Sequence, residues 1–259
     1  MRRSSSALLL AISTAVVVAV PLAQAADPVP APIAAAVADG SRPDADKQRD
    51  ADRKPGESVA FAGIKSGDRV VDLMPGGGYF TRVFSKVVGT KGTVYAVAPP
   101  PRPNAPADAP APNAAVTAIA ADAGYPNVRV VTARPAEFTV PEPVDVVWTS
   151  LNYHDFHNAP NAGDMKAFNT TVLNALKPGG TYVVIDHAAA TGSGARDTST
   201  LHRIDPELVK TEVVAAGFTF EGASDVLRHP DDAHSARVHE ASVRGKTDQF
   251  LLKFRKPAK

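Results

Sequence analysis

The chain has 259 residues, of which 44% are hydrophobic and 21% are charged, and its formal net charge at pH 7 is +1. This composition is typical of one globular domain with a sizeable core, and the near-neutral charge argues against a nucleic-acid-binding surface. The sequence contains no cysteine. Disulfides, thiolate metal sites, a cysteine nucleophile and a lipid-modified cysteine are therefore excluded.

The N-terminus has the pattern of an export signal. Arg2 and Arg3 precede the apolar run Ala7–Val20, and the small residues of Ala23–Ala25 follow it. These segments are typical of the charged region, apolar region and cleavage site of a signal peptide, and the apolar run is shorter than the roughly 20 residues that a membrane anchor needs. We predict a signal peptide over residues 1–25 and an exported protein, periplasmic or secreted, with no membrane anchor after cleavage.

The residues after the predicted signal peptide divide into a lead and a domain. Residues 26–43 are rich in alanine and proline, which predicts disorder. Residues 44–54 are a run of charges typical of a solvated helix, in which Arg53 faces water or, alternatively, reaches a ligand carboxylate. We assign residues 44–259 to one domain.

From residue 55 onwards, helical and strand patterns alternate. This alternation predicts a doubly wound, mostly parallel, Rossmann-like α/β sheet of seven strands. The last two strands have no helix between them, which predicts an antiparallel C-terminal edge. Strands are predicted over 69–73, 93–97, 128–132, 144–149, 181–186, 218–224 and 248–254, and helices over 55–61, 79–88, 113–123, 161–176 and 206–216, with a proline-rich rim loop over 98–112.

The segment Val70–Thr81 carries the clearest chemical signal. An apolar strand reaches Asp72, and Gly76, Gly77 and Gly78 follow before a helix begins. Glycine lets the main chain approach a ligand closely, and a strand–turn–helix of this kind opens a nucleotide-type site at the carboxyl end of a parallel sheet. The alternative is a tight turn that binds nothing.

Three segments resemble the class I S-adenosylmethionine-dependent methyltransferases. Val70–Thr81 resembles the family's strand–acid–glycine loop, and Asp145–Asp155 resembles its fourth strand with the loop that lines the site. Leu176–Asp186 resembles its Leu-Lys-Pro-Gly-Gly turn into the fifth strand. More narrowly, Tyr79 and the stretch Leu201–Asp205 resemble a group of exported predicted methyltransferases. The resemblance implies methyl transfer from S-adenosylmethionine to a small molecule or an exposed side chain.

The resemblance also implies where S-adenosylmethionine binds. The crevice would lie between the first and fourth strands, with contacts from Asp72, from the glycine turn 76–78 and Tyr79, and from Asn152.

The sequence departs from the family pattern at two positions. Met74 stands where the family usually has glycine. The predicted second strand runs into Ala98 and Pro99, whereas the family usually has an acid at this point that accepts hydrogen bonds from both ribose hydroxyls. Glu137 and Asp122 are the alternative acids on neighbouring loops. Loss of such charge-assisted hydrogen bonds removes about 1.5–3 kcal/mol each.

The loop after the fourth strand holds candidates for removing a proton from the methyl acceptor. His154 is suited to be the general base, Asp155 to orient it, and Tyr153 to hold the acceptor. The alternative is that Tyr153 and His154 cap the strand and pack on the core.

All seven histidines follow residue 150. His154 and His157 share one loop, and Asp186 and His187 end the next strand, so we expect a histidine–aspartate cluster at the mouth of the crevice. Imidazole and carboxylate both bind zinc and other divalent ions, but no helical ligand motif is present and we assign no metal ligand. Two alternatives to methyl transfer stay open: a ligand-binding protein on the same fold, and a metal-dependent enzyme.

Overall fold

The computed structural model describes residues 28–101, 105–106, 108–158 and 164–259. The predicted signal peptide, residues 1–25, lies outside the described residues. In the described part of the chain, strands and helices alternate as predicted. The strands are β1 (Arg69–Leu73), β2 (Thr93–Ala98), β3 (Val128–Thr132), β4 (Val144–Ser150), β5 (Leu176–His187), β6 (Thr219–Ser224) and β7 (Gln249–Arg255).

Two of the helices begin directly after an aspartate whose side chain caps them. The Asp164 carboxylate accepts from the main-chain N–H groups of Lys166 and Ala167, and Asp205 accepts from that of Glu207; such caps satisfy donors that a helix start leaves free. The helices are α1 (Ala31–Val37), α2 (Asp44–Lys47), α3 (Asp50–Arg53), α4 (Pro55–Ala62), α5 (Tyr79–Val88), α6 (Ala114–Ala121), α7 (Met165–Ala175) and α8 (Pro206–Ala215), and 3-10 turns cover Gly89–Lys91 and His154–His157.

The strands form one sheet in the order β3-β2-β1-β4-β5-β7-β6. Strands β1 to β5 pair in parallel, and β7 pairs antiparallel with both β5 and β6. The predicted fold class is therefore confirmed. Leu73 lies opposite Val97 of β2 on one side and Thr149 of β4 on the other, so that the carboxyl ends of these three strands are level at one edge of the sheet.

The core consists of two apolar layers, one on each face of the sheet. One layer includes Val83, Phe84 and Trp148, and the other includes Phe168 and Tyr182. Both faces of the parallel strands are covered, which explains why these strands are nearly continuous runs of apolar β-branched residues. Among the residues that the structure describes, none of the helices is long and apolar enough to cross a bilayer.

The prediction of disorder over residues 26–43 is wrong for Ala31–Val37, which form α1. Ile33 and Ala36 lie three residues apart on one face of this helix and are buried in the same layer as Val83. Alanine has the highest helix propensity, and Pro30 precedes the helix with the φ angle that a helix start accepts. The alanine- and proline-rich composition predicts disorder, but burial of Ile33 and Ala36 in the core stabilises the helix.

Candidate functional site

A crevice of about 380 Å³ lies at the level edge of the sheet, where the chain leaves β1 and β4. The helix after β1 and the helix after β4 cover opposite faces, so the loops diverge at this point and leave room for a ligand. The crevice is lined by Arg49, Arg53, Asp72, Met74, Pro75, Gly76, Gly77, Tyr79, Phe80, Ala98, Pro99, Pro112, Ser150, Leu151 and Asn152.

The glycine turn has left-handed backbone at alternate residues. Met74, Gly76 and Gly78 have φ angles of 59°, 55° and 77°. Gly78 has a packing reason as well, because a Cβ there would collide with Ile119. Met74 adopts the conformation that glycine favours and is the one residue of the three with a side chain, which costs about 1–2 kcal/mol of backbone strain. Met74 therefore takes a left-handed conformation although it is not glycine.

Gly77 lies between these residues and serves a different purpose. It lines the crevice, and a Cβ added to it would meet no atom within 4 Å. Packing does not require glycine here, so the open space beside it is what a closely approaching ligand would use.

Asp72 links the end of β1 to the start of α5. Its carboxylate accepts a hydrogen bond of 2.6 Å from the Thr81 hydroxyl, and its side chain is buried. Burial raises the pKa of Asp72 to about 6, although the hydrogen bond from Thr81 and the positive charge of Arg53 both oppose this. The acid of the glycine turn thus holds strand and helix together from the floor of the crevice.

The segment before β1 supplies one wall of the crevice. Arg49 and Arg53 line it, and their guanidinium carbons lie 5.4 Å and 4.8 Å from the centre of the Tyr79 ring. The Tyr79 hydroxyl donates to Asp50 at 2.6 Å, and Asp50 is held by both terminal nitrogens of the buried Arg42 at 2.7 and 2.8 Å. These contacts fix α3 against the first turn of α5.

The charge run predicts that Arg53 lies on a solvated face. Its side chain is instead half-buried and lines the crevice. Burial lowers the pKa of Arg53 to about 10, so the side chain remains charged at neutral pH. The alternative that Arg53 reaches a ligand carboxylate fits its position.

The end of β2 carries no acid. Ala98 and Pro99 line the crevice there, and among its described lining residues Asp72 is the single carboxylate. Asp122 accepts from the main-chain N–H of Gly124, and Glu137 is exposed, so neither takes the place of an acid at Ala98.

Asn152 ties the loop after β4 to the glycine turn. Its amide donates to the main-chain oxygens of Met74 and Ser150, both at 3.1 Å, and its side-chain oxygen accepts from the Thr149 hydroxyl. The predicted approach of this loop to the turn is present, and Asn152 holds the two sides of the crevice in place.

Tyr153 does not face the crevice. Its side chain is fully buried, and its hydroxyl donates to Glu212 at 3.0 Å and accepts from Asn169 at 2.9 Å. Burial, with Glu212 close by, raises the pKa of Tyr153 well above the usual range. The prediction that Tyr153 holds an acceptor is wrong, because the loop turns this ring into the core.

His154 lies in a network of polar side chains at the ends of β4 and β5. Its Nδ1 is 2.8 Å from Asp186, which also accepts from the His154 main-chain N–H at 2.8 Å. Burial by itself lowers the pKa of His154, but the negative charge of Asp186, with that of Asp155, more than offsets this and the net pKa is raised. Asp186 therefore orients His154, in the role that the sequence assigned to Asp155.

The other side of the His154 ring faces His202 and Asp155. The distances from His154 Nε2 to His202 Nδ1 and to Asp155 Oδ1 are both 3.3 Å. We call these four residues, His154, Asp155, Asp186 and His202, the His154 cluster. His187 lies beside it with its Nδ1 2.8 Å from the Thr247 hydroxyl, and burial lowers the pKa of His187 to about 4.

A histidine–aspartate cluster is therefore present with a changed membership, but none of its members is among the residues that line the crevice, where it was predicted. His157 lies outside the cluster, and its Nε2 is 3.1 Å from Oε2 of Glu212. His202 replaces it from a different part of the chain and has a left-handed φ of 56° just before the cap of α8.

Comparison with known proteins rests on structure. No protein-family model matches the sequence, and no curated protein matches it. A SAM-dependent methyltransferase from Aquifex aeolicus is 20% identical over 76% of this chain and 86% of its own, with a TM-score of 0.52. A putative sarcosine dimethylglycine methyltransferase from Galdieria sulphuraria is 16% identical over 80% and 85%, with a TM-score of 0.56. The chain has the class I methyltransferase fold.

The methyltransferase fold is shared with at least one protein that has another activity. The 4+2-cyclase SpnF is 16% identical over 88% of this chain and 92% of its own, with a TM-score of 0.56. The fold thus accommodates more than one chemistry, and the function depends on the side chains of the site.

Five of the six residues predicted to contact a cofactor line the crevice of this methyltransferase fold: Asp72, Gly76, Gly77, Tyr79 and Asn152. The sixth, Gly78, lies behind the turn against α6. The sequence reasoning missed Arg49 and the orienting role of Asp186, and it cited His202 only as part of a resemblance. The position of Asp186, an acid at the end of the strand next to the His154 loop, is the sequence feature that could have indicated its orienting role.

Proposed function

We propose that the protein is an exported methyltransferase that uses S-adenosylmethionine and acts on a small molecule or an exposed side chain. The observation that carries this proposal is the crevice at the β1–β4 switch point of a methyltransferase fold, with a glycine turn on one side and a charged arginine on the other. The Arg53 guanidinium lies over the Tyr79 ring at the wall of the crevice, where it would meet a carboxylate of the ligand.

The residues of the crevice suit the parts of S-adenosylmethionine. The main chain at Gly76 and Gly77 can approach the cofactor closely, and Arg53 would hold its carboxylate through charge-assisted hydrogen bonds. Asn152 and Tyr79 keep the two walls at a fixed separation. When bound, S-adenosylmethionine supplies a methyl group on a positively charged sulfur.

We propose His154 as the base that accepts a proton from the methyl acceptor. Asp186 fixes the ring by accepting from Nδ1, so Nε2 is the nitrogen that would accept the proton, with the methyl acceptor displacing the contact to His202. Nε2 faces His202, whose side chain is 22% exposed, so the acceptor would reach the buried ring, and the proton would leave it, on this side. A positioned base of this kind typically contributes about 10²–10⁴-fold to a rate.

The first test is calorimetric titration of the chain from Ala26 to Lys259 with S-adenosylmethionine and with S-adenosylhomocysteine. Micromolar binding of either supports the proposal and justifies a search for the acceptor. No binding at millimolar ligand by protein shown to be folded would reject it. Once an acceptor is found, His154→Gln should lower turnover at least tenfold without lowering cofactor affinity, and unchanged turnover would remove His154 from the reaction.

A second candidate function is ligand binding without methyl transfer, and Ala98 favours it. Without an acid at this position the crevice lacks two charge-assisted hydrogen bonds to a ribose, which corresponds to a loss of about tenfold or more in affinity. Replacing Ala98 by aspartate tests this, with Ala98→Asn as the uncharged control of the same size. A large gain in affinity for S-adenosylmethionine in the aspartate variant alone would support an adenosine-binding crevice; no gain would favour a different ligand.

Export is part of the proposal and has its own test. Mass spectrometry of the protein recovered from the periplasm or medium should identify Ala26 as its first residue. An intact Met1 in the cytoplasmic fraction would contradict export. An exported enzyme needs S-adenosylmethionine outside the compartment that makes it, so this result also decides where the cofactor must be supplied.

A further inference from the structure

Three side-chain atoms of the His154 cluster converge on one point. They are Nε2 of His154, Nδ1 of His202 and Oδ1 of Asp155. The two distances from His154 are 3.3 Å each, and the third side of the triangle, from His202 to Asp155, is 3.8 Å. Two nitrogens and one carboxylate oxygen form a donor set that zinc and similar divalent ions accept.

The size of this triangle matches a metal site. The point equidistant from the three atoms lies about 2.0 Å from each, and zinc binds imidazole nitrogen and carboxylate oxygen at about 2.0–2.2 Å. In a tetrahedral site with such bonds, neighbouring donor atoms lie about 3.3–3.4 Å apart. The three donors therefore need little movement to hold an ion and leave a fourth position open.

Asp186 provides a second, independent reason to assign a cation to this point. It accepts from His154 Nδ1 at 2.8 Å and lies fully buried, so it fixes the ring with Nε2 on the side of His202 and Asp155. A carboxylate behind a metal-binding histidine has this role in metal sites, where it fixes the tautomer and makes the ring a stronger ligand.

The imidazole nitrogens of His154 and His202 also have hydrogen-bond partners when no cation is bound. Arg237 lies 3.1 Å from His202 Nε2, and because arginine only donates, neutral His202 carries its proton on Nδ1 and donates to His154. A cation takes the place of that proton, which then moves to Nε2 while Arg237, an exposed side chain, turns away. The cluster thus has two possible occupants at the same position.

We propose that His154, His202 and Asp155 form a binding site for a divalent cation of the zinc class, with Asp186 as the carboxylate that orients His154. The three ligand residues do not line the cofactor crevice, and the assignment of the metal site stands on its own geometry. A cation occupies the lone pair that a base needs, so the metal-loaded protein is a state in which His154 accepts no proton.

Metal binding is measured directly, without S-adenosylmethionine, so that its outcome is independent of the proposed methyl transfer. Untagged full-length protein is titrated with Co²⁺ and followed by the visible absorption of tetrahedral cobalt, and its zinc content is measured after equilibrium dialysis. We expect about one ion per chain. His202→Ala and Asp155→Asn should each weaken binding at least tenfold, since each removes one of three protein ligands.

The two substitutions are chosen because both side chains reach the surface, being 22% and 43% exposed, so the variants should fold. His229→Ala, outside the triangle, is the matched control and should bind as the unchanged protein does. Thermal unfolding checks that all variants are folded. Less than a tenth of an ion per chain, or binding that survives both substitutions unchanged, would overturn the assignment.

Discussion

Replacement of Arg53 by methionine tests the cofactor crevice most directly. The methionine keeps most of the apolar stem and removes the guanidinium, which lines the crevice and remains charged at neutral pH because its pKa is about 10. A charge-assisted hydrogen bond to a carboxylate contributes about 1.5–3 kcal/mol. We therefore expect the dissociation constant of S-adenosylhomocysteine to rise about 10- to 150-fold.

The assay compares two ligands by calorimetry. S-Adenosylhomocysteine carries an amino-acid carboxylate, and 5′-methylthioadenosine has the same nucleoside and sulfur without it. If Arg53 holds the carboxylate, the substitution should weaken only the first ligand, and Arg53→Lys should restore part of the loss. Equal weakening of both ligands would refute the reasoning, because it would mean that the variant distorts the crevice.

The same substitution has a smaller effect on stability that must be measured beside it. The Arg53 guanidinium lies 4.8 Å from the centre of the Tyr79 ring and 5.7 Å from that of Phe80. Contacts of this kind contribute about 0.5–2 kcal/mol. Urea unfolding should show a loss in that range, which leaves the protein folded during the titration.

Three further predictions concern the turn and the acids around it. Gly77→Ala should weaken cofactor binding and change the free energy of unfolding by no more than about 0.5 kcal/mol. Gly78→Ala, with a φ of 77° and Ile119 in the position of the new Cβ, should lower the free energy of unfolding by about 2–4 kcal/mol. Equal losses of stability in urea unfolding would contradict this contrast. Folded Asp72 keeps its proton up to about pH 6, whereas the unfolded chain releases it near pH 3.8, so the free energy of unfolding should fall by roughly 3 kcal/mol as pH rises from about 4 to 6. Asp72→Asn should remove this pH dependence from the urea midpoints, and the same pH dependence in both proteins would count against the raised pKa. Asp50→Asn leaves a fully buried arginine without its ion pair and should lower the free energy of unfolding on the order of 3 kcal/mol, while Asp44→Asn, 91% exposed, should change it little; similar losses in both would show that burial of the pair is unimportant.

The sequence predicts the architecture well because its boundaries are encoded locally. Strand β1 and helix α5 have the predicted limits, since glycines stop the strand and set the start of the helix at Tyr79. Strand β5 begins five residues earlier than predicted, at Leu176, which pairs with Val144 before a register shift. Proline and glycine in that turn suggested a loop, and pairing with the neighbouring strand overrides them.

The site is predictable only where it lies in one segment. The glycine turn supplies Gly76 and Gly77 to the crevice, as its local pattern indicates. The orientation of Tyr153 toward the core depends on Glu212 and Asn169, which are 59 and 16 residues away. His202 likewise meets His154 across 48 residues. No periodicity within one element determines such meetings, because the path of the whole chain sets them.

Because Arg49 and Arg53 form one wall of the crevice, ligand binding and docking of the N-terminal segment are thermodynamically linked. Arg53 lines the crevice from α3, which the contacts of Asp50 with Tyr79 and Arg42 fix to the rest of the protein, so a ligand that binds Arg53 stabilises the docked segment by the same free energy that docking contributes to affinity. Protease resistance of residues 28–54 should therefore rise as the crevice fills. Without residues 28–54 the crevice would lose Arg49 and Arg53, and the core would lose the buried side chains of α1.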